Sequence, residues 1–175
     1  MELPMSEKPA LAVTIAQEGQ DLRWRISHGG GPDAWVFLLT PVIADRRKAL
    51  SREEAWVDVD EDGSTVVVRK TEIPAPAGVD VDGVVHSGAV LMRPGDTQEG
   101  RTRLGAEVAV RRPYGPSGQK VPVAKVVMEV GWVPALPTLT PKLLDWQGQV
   151  FAYVHPSAVP DGQQLTRSAV IDWTP

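Results

Sequence analysis

The chain contains no cysteine and no asparagine among its 175 residues. Without cysteine there is no disulfide framework, no thiolate metal ligand and no cysteine nucleophile. Without asparagine there is no N-glycosylation acceptor, and turn positions that need a positive φ fall to Gly and Asp. These absences exclude disulfide-stapled scaffolds and cysteine-dependent enzymes.

Long apolar runs and concentrated basic charge are also lacking. No apolar run approaches the roughly 20 residues of a membrane-spanning helix. The opening residues, MELPMSEKPAL, have acids where a signal peptide needs bases. The net charge is −4 and the basic residues are scattered, which argues against binding to nucleic-acid phosphates. We expect a soluble protein with no membrane span and no nucleic-acid partner, cytoplasmic as the sequence stands and periplasmic or secreted if a leader has been removed.

Short alternating apolar runs, separated by Gly, Pro or Asp-Gly, fill the chain from Leu11 to Trp173. Alternation of this kind predicts half-buried strands joined by turns. One segment, 44–54 (ADRRKALSREE), has a helix-forming composition. Within it Ser51 and Glu54 match a capping box, which predicts one or two helical turns at most.

The length fits one domain, and the turn spacing is typical of two packed antiparallel sheets. We therefore predict an all-β antiparallel sandwich, with a flexible N-terminal segment at residues 1–10 and a single domain over 11–175. About nine or ten strands and at most one short helical turn are expected. The pattern resembles immunoglobulin-like sandwiches, although the Cys…Trp…Cys core spacing of true immunoglobulin domains is missing. The resemblance concerns architecture and implies no function.

The sharpest local pattern is the acidic run Asp58-Val59-Asp60-Glu61-Asp62-Gly63. Alternate carboxylates followed by Gly match the first half of an EF-hand calcium loop. The second half fails, because Thr65 and Arg69 stand where an aliphatic residue and a bidentate Glu are required. A hairpin turn explains the run better. The alternative is a weak calcium site using Asp58, Asp60 and Asp62, to which a second run with Asp80 and Asp82 would add carboxylates if it were close.

The chain contains six tryptophans, each of which is either a core residue or a candidate binding residue. Trp24, Trp35 and Trp132 are in phase with the apolar faces of their strands, which predicts that they are core. Trp146 lies in a polar segment. If a tryptophan binds a carbohydrate or protein partner, we expect it to be Trp146.

The three histidines, His28, His86 and His155, show no metal-ligand spacing, so a metal site would need all three to converge in the fold. The run from His28 to Gly31 resembles the oxyanion-hole motif of lipases, but no G-x-S-x-G nucleophile elbow accompanies it. No catalytic motif is therefore identified.

Several arginines project from the polar faces of predicted strands. Together on one sheet they would form an anion-binding stripe, and paired with acids such as Glu107 and Glu129 they would be neutralised. These arginines are Arg23, Arg25, Arg101, Arg103 and Arg111.

The absence of a paired acid and base, an activated nucleophile or metal-ligand spacing predicts a non-catalytic binding or interaction module that needs no cofactor. Its partner, whether a protein, a small molecule or a carbohydrate, is not defined by the residues. The alternatives are a calcium-stabilised module, a carbohydrate-binding module and an unrecognised enzyme.

Overall fold

The computed structural model describes residues 8–44, 47–78, 86–146, 149–155 and 162–175. These residues form an all-β protein with no helix, as the alternating apolar pattern predicts. The strands in chain order are β1 (Leu11–Glu18), β2 (Asp21–His28), β3 (Ala34–Ala44), β4 (Arg47–Ser51), β5 (Trp56–Val59), β6 (Thr65–Lys70), β7 (Gly88–Met92), β8 (Thr97–Arg103), β9 (Glu107–Ala109), β10 (Lys120–Pro122), β11 (Lys125–Pro134), β12 (Lys142–Trp146), β13 (Gln149–Tyr153), β14 (Gln164–Arg167) and β15 (Ile171–Asp172).

The strands assemble into a small sheet, a large sheet and one separate pair. The small sheet has the order β1-β2-β8, and β9 pairs with β10. The large sheet follows the order β12-β13-β7-β3-β11-β6-β5, with β14 and β15 also pairing with β11 and β4 pairing with β3. Among the described pairings, β6 with β11 is parallel and the rest are antiparallel.

The main core lies between the small and the large sheet. Trp24 and Ile26 of β2 are fully buried against side chains such as Val36 and Met128 of the large sheet. Gly100 on β8 makes room for the Trp24 ring, because a Cβ there would lie 2.1 Å from a ring carbon. The two layers therefore pack as a sandwich around this tryptophan.

The opposite face of the large sheet has an apolar cluster of its own. Phe37, Ala89 and Val133 are buried there, and Trp35 and Leu136 pack against them partly exposed. Trp35, predicted to be core, is thus half-buried on this face, while Trp24 and Trp132 are buried as predicted.

The strand count was wrong, and the one segment with a helix-forming composition contains a strand. Fifteen strands are described rather than nine or ten. Within 44–54, where one or two helical turns at most were expected, residues 47–51 form β4 and pair antiparallel with β3. The Ser51 hydroxyl still accepts hydrogen bonds from the backbone N–H groups of Glu53 and Glu54, at 3.2 and 3.1 Å. The capping contact of Ser51 therefore forms at a turn and not at the start of a helix. Pairing of residues 47–51 with the long strand β3 overrides their local helix propensity.

The acidic hairpin forms as predicted. Strands β5 and β6 pair antiparallel, and Gly63 takes a positive φ of 73° in the turn between them. Within the segment predicted to be flexible, residues 8–10 are described, and the Ala10 N–H donates to the Gly30 carbonyl at 2.9 Å. The immunoglobulin-like character stays a prediction.

Candidate functional site

Asp58, the first of the predicted calcium ligands, is held by arginines on the outer face of the large sheet. Arg112 donates to both of its oxygens, from Nη2 to Oδ1 at 2.6 Å and from Nε to Oδ2 at 3.1 Å. Arg69 donates from Nη1 to Oδ2 at 3.1 Å. The hydrogen bond from Arg112 is the main reason that the pKa of Asp58 falls to about 2. Asp58 thus serves as the anionic partner of two guanidinium groups.

The other two predicted ligands have separate partners. Asp62 Oδ1 accepts from the backbone N–H groups of Ser64 and Thr65 at 2.9 and 3.3 Å, and these bonds lower its pKa. Asp60 Oδ1 lies 3.7 Å from Arg167 Nη2. No group of three or more His, Asp or Glu side chains that could hold a metal ion occurs within the described part of the chain. Calcium binding by the three aspartates stays a prediction, and Asp80 and Asp82 lie outside the described residues.

The arginine contacts continue across the sheet through Glu129. This carboxylate is only 8% exposed and accepts from Arg69 Nε at 3.1 Å and from Arg167 Nε at 2.8 Å. Because β11 lies between β6 and β14, Glu129 has an arginine on either side of it. The result is an alternating row of charges from Arg112 through Asp58 to Arg167, which we call the charge ladder.

A cavity of about 110 Å³ opens at one end of the charge ladder. Val57 pairs with Arg111 in an isolated bridge, which brings the segment 111–114 alongside β5. The cavity is lined by aromatic, apolar and charged side chains: Trp56, Asp58, Arg69, Ile73, Arg111, Arg112, Pro113 and Tyr114. We call it the arginine cavity.

Arg111 is held in the arginine cavity by an aromatic ring and three hydrogen-bond acceptors. Its carbon Cζ lies 4.8 Å from the centroid of the Trp56 ring. Nη2 donates to the Pro41 carbonyl at 2.6 Å, and Nη1 donates to the Ala55 carbonyl and to Glu54, both at 3.3 Å. Burial lowers the pKa of Arg111, so its positive charge is costly here. An anion entering the cavity would offset that cost.

Arginines outnumber acids in the lining of the arginine cavity, and acids outside the lining contact two of them: Glu129 contacts Arg69 and Glu54 contacts Arg111. Three guanidinium groups stand against one carboxylate, that of Asp58. The nearest further acid on Arg111, Glu54, has a side chain 58% exposed and is well hydrated. The cavity is therefore suited to an anionic group.

A second polar cluster brings together two of the three histidines. The His86 and His155 ring centroids are 6.0 Å apart, and the Tyr153 ring lies 6.1 Å from His86. Glu72 Oε1 lies 3.1 Å from His86 Nδ1. His28 is elsewhere, buried at the end of β2, with Nε2 2.8 Å from the Pro32 carbonyl. The convergence of all three histidines that a three-ligand site would need does not occur.

Glu72 is held in place by hydrogen bonds other than its contact with His86. The Ser87 N–H donates to Oε2 at 2.8 Å, and the Gln163 side chain bonds both the N–H and the carbonyl of Glu72 at 2.9 Å. Gly131 makes room for Gln163, since a Cβ there would lie 1.9 Å from its Oε1. Burial raises the pKa of Glu72, while the contacts with Ser87 and His86 oppose that rise. We call Glu72, His86, Tyr153 and His155 the histidine cluster.

Lys70 is a third titratable group with an unusual setting. Its Nζ is buried and donates to the carbonyls of Leu38, Arg52 and Glu54. The ring centroid of Trp24 lies 5.4 Å from Nζ. Burial lowers the pKa of Lys70 to about 7. Three carbonyls match the three N–H donors of an ammonium group, so Lys70 ties the segment before β5 to the core.

Trp146, the tryptophan predicted to bind a carbohydrate or protein partner, belongs to β12 at the end of the large sheet. Its side chain lies outside the described residues. The arginines of the small sheet lie at neighbouring positions of β2 and β8, with Arg23 opposite Arg101. Arg23 and Arg101 contact Glu18, Arg25 contacts Glu99, and Arg103 donates to the Gln20 side chain at 2.6 Å.

Sequence reasoning missed the arginine cavity. Arg111 was considered only as part of an anion-binding stripe with other strand arginines, and no local spacing links Arg111 or Arg112 to Trp56 or Arg69. The available signal was a basic pair followed by Pro and Tyr in a polar loop, which is weak.

Among the described residues, no helix has the length and apolar character required to cross a membrane. No protein-family model, curated protein or solved structure matches this chain.

Proposed function

We propose that this protein is a non-catalytic binding module that recognises a carboxylate group in the arginine cavity. The observation that supports this most is the lining itself, in which three guanidinium groups face one carboxylate beside Trp56. Guanidinium groups bind carboxylates through paired, charge-assisted hydrogen bonds. Asp58 already makes such a pair with Arg112 within the chain.

The size of the cavity restricts what enters it. A volume of about 110 Å³ is small beside the roughly 300–1,000 Å³ of sites that enclose a whole drug-sized ligand. A carboxylate attached to a larger partner fits this description, with the rest of the partner outside. The donors are sufficient: a guanidinium has five N–H groups, and the hydrogen bonds described for Arg69 and Arg111 use two and three.

Isothermal titration calorimetry with succinate, and with succinamide as its uncharged counterpart, tests the proposal. We expect saturable binding of succinate alone. Arg111→Gln should weaken it by about tenfold, since one charge-assisted hydrogen bond to a carboxylate is worth roughly 1.5 kcal/mol.

The matched control is Arg25→Gln on the small sheet, where the side chain is 58% exposed and paired with Glu99. It should leave succinate affinity unchanged. Equal binding of succinate and succinamide, or equal loss in both variants, would overturn the proposal. Binding of neutral sugars at this cavity would favour a carbohydrate-binding module instead.

A further inference from the structure

The His86 and His155 rings are just close enough for one ion to bridge them. An imidazole nitrogen lies about 2.0–2.1 Å from a bound Zn²⁺, and the ring centroid lies roughly 1 Å further away. Two rings on a common ion therefore have centroids up to about 6 Å apart. The His86 and His155 centroids are 6.0 Å apart, with their planes at 71°.

Glu72 orients His86 for this role. Its carboxylate contacts Nδ1 of His86, so Nε2 at the far side of the ring is directed away from Glu72. A carboxylate on the second nitrogen is the usual support of a metal-bound histidine, fixing its tautomer and ring orientation. Glu72 is only 4% exposed and is itself fixed by Ser87 and Gln163, whereas the His86 side chain is 40% exposed. The support is rigid and the ligand side is accessible to solvent.

We propose that His86 and His155 bind a divalent transition-metal ion, with water completing its coordination and Glu72 as the positioning carboxylate. Imidazole ligands select ions such as Zn²⁺, Ni²⁺ and Cu²⁺ over Ca²⁺ and Mg²⁺, which prefer oxygen. This site is independent of the arginine cavity and of the predicted calcium site, with which it shares no residue. The Tyr153 ring, 6.1 Å from His86, forms one wall.

The first test uses the unaltered full chain. Zn²⁺ is added while the three histidines are followed by the NMR signals of their imidazole Cε1–H groups. We expect the His86 and His155 signals to shift together at the same Zn²⁺ concentration, and the signal of His28 to stay in place. A shift in only one of the two, or an equal shift in all three, overturns the proposal.

The second test measures Zn²⁺ affinity by calorimetry in single variants. His86→Gln and His155→Gln should each weaken binding at least tenfold. Glu72→Gln, which keeps both ligands, should weaken it by about 10- to 100-fold, the usual effect of losing a supporting carboxylate. Arg111→Gln should leave Zn²⁺ affinity unchanged, which separates this site from the arginine cavity. Zn²⁺ affinity that is unaltered by either histidine variant, with Ca²⁺ binding equally well, would overturn the assignment.

Discussion

Two glutamates, Glu129 and Glu18, make the same kind of contact in very different surroundings. Each lies near two arginines: Glu129 contacts Arg69 and Arg167, and Glu18 contacts Arg23 and Arg101. Glu129 is on β11, between two paired strands of the large sheet, and its side chain is 8% exposed. Glu18 ends β1 at the edge of the small sheet, and its side chain is 46% exposed.

The difference shows that residue type and strand phase do not determine what a charge pair contributes. Exposed pairs are screened by water and contribute little, whereas removing one partner of a buried pair leaves an uncompensated charge. Removing one member of the charge ladder should therefore cost more stability than removing one member of an exposed pair on the small sheet. The pairs of the small sheet act mainly as a solvated surface.

The largest expected effect is that of neutralising Glu129. Glu129→Gln leaves Arg69 and Arg167 without their shared carboxylate and should lower the free energy of unfolding by about 2 kcal/mol. Glu18→Gln, its matched control, should lower it by less than about 0.5 kcal/mol. Urea unfolding of both variants measures the two values. Equal losses of unfolding free energy in the two variants would contradict the difference proposed between the large sheet and the small sheet.

A pH effect comes next in size. Because the pKa of Asp58 is lowered to about 2 in the folded chain, its ion pairs stabilise the protein above the ordinary aspartate pKa. That stability is lost as the pH falls from about 4 to about 2. The loss should be about 1 kcal/mol after allowing for partial exposure. Unfolding measured at pH 5 and pH 2.5 should show it in the wild type and show a smaller loss in Asp58→Asn.

Replacement of Arg112 by lysine should affect Asp58 itself. Lysine cannot make the two-point contact that Arg112 makes with Asp58, so the pKa of Asp58 should rise from about 2 toward its ordinary value. The chemical shift of the Asp58 carboxyl carbon, followed against pH, reports this change. Arg25→Lys should leave the titration of Asp58 unaltered, and a rise in that control would contradict the local cause.

The smallest effect is that of salt. The Arg25–Glu99 pair, 3.7 Å long and about half exposed, should contribute less than about 0.5 kcal/mol at low salt. That contribution should vanish near 1 M NaCl, where the screening length is about 3 Å. A double-mutant cycle at two salt concentrations measures it. Persistence at 1 M NaCl would mean that the two faces are more alike than proposed.

The sequence predicts the strands well where their alternation is strict. Leu22, Trp24 and Ile26 face the core as their phase requires, and the turn at Gly63 joins β5 to β6. The composition of segment 44–54 is helix-forming, but residues 47–51 within it pair with β3 as a strand. Composition describes local preference, and strand pairing is a long-range effect that it does not contain.

The candidate site was predictable only in part for the same reason. Asp58 stands out in the sequence, but its partner Arg112 lies 54 positions away. The pairing of Val57 with Arg111 that builds the cavity is likewise a long-range contact. His86 and His155 meet only because β13 lies beside β7, with Ala152 opposite Ala89. No spacing of residues in the sequence indicates any of these contacts.

The most direct test of carboxylate recognition is a two-dimensional ¹H–¹⁵N NMR titration with acetate, compared with acetamide at matched NaCl concentration. We expect acetate alone to shift the Trp56 indole N–H and the backbone amides of Arg111, Arg112 and Tyr114, with Arg25 and Glu99 unmoved. Shifts spread equally over both outer faces, or no shift at the arginine cavity, would contradict the proposed function.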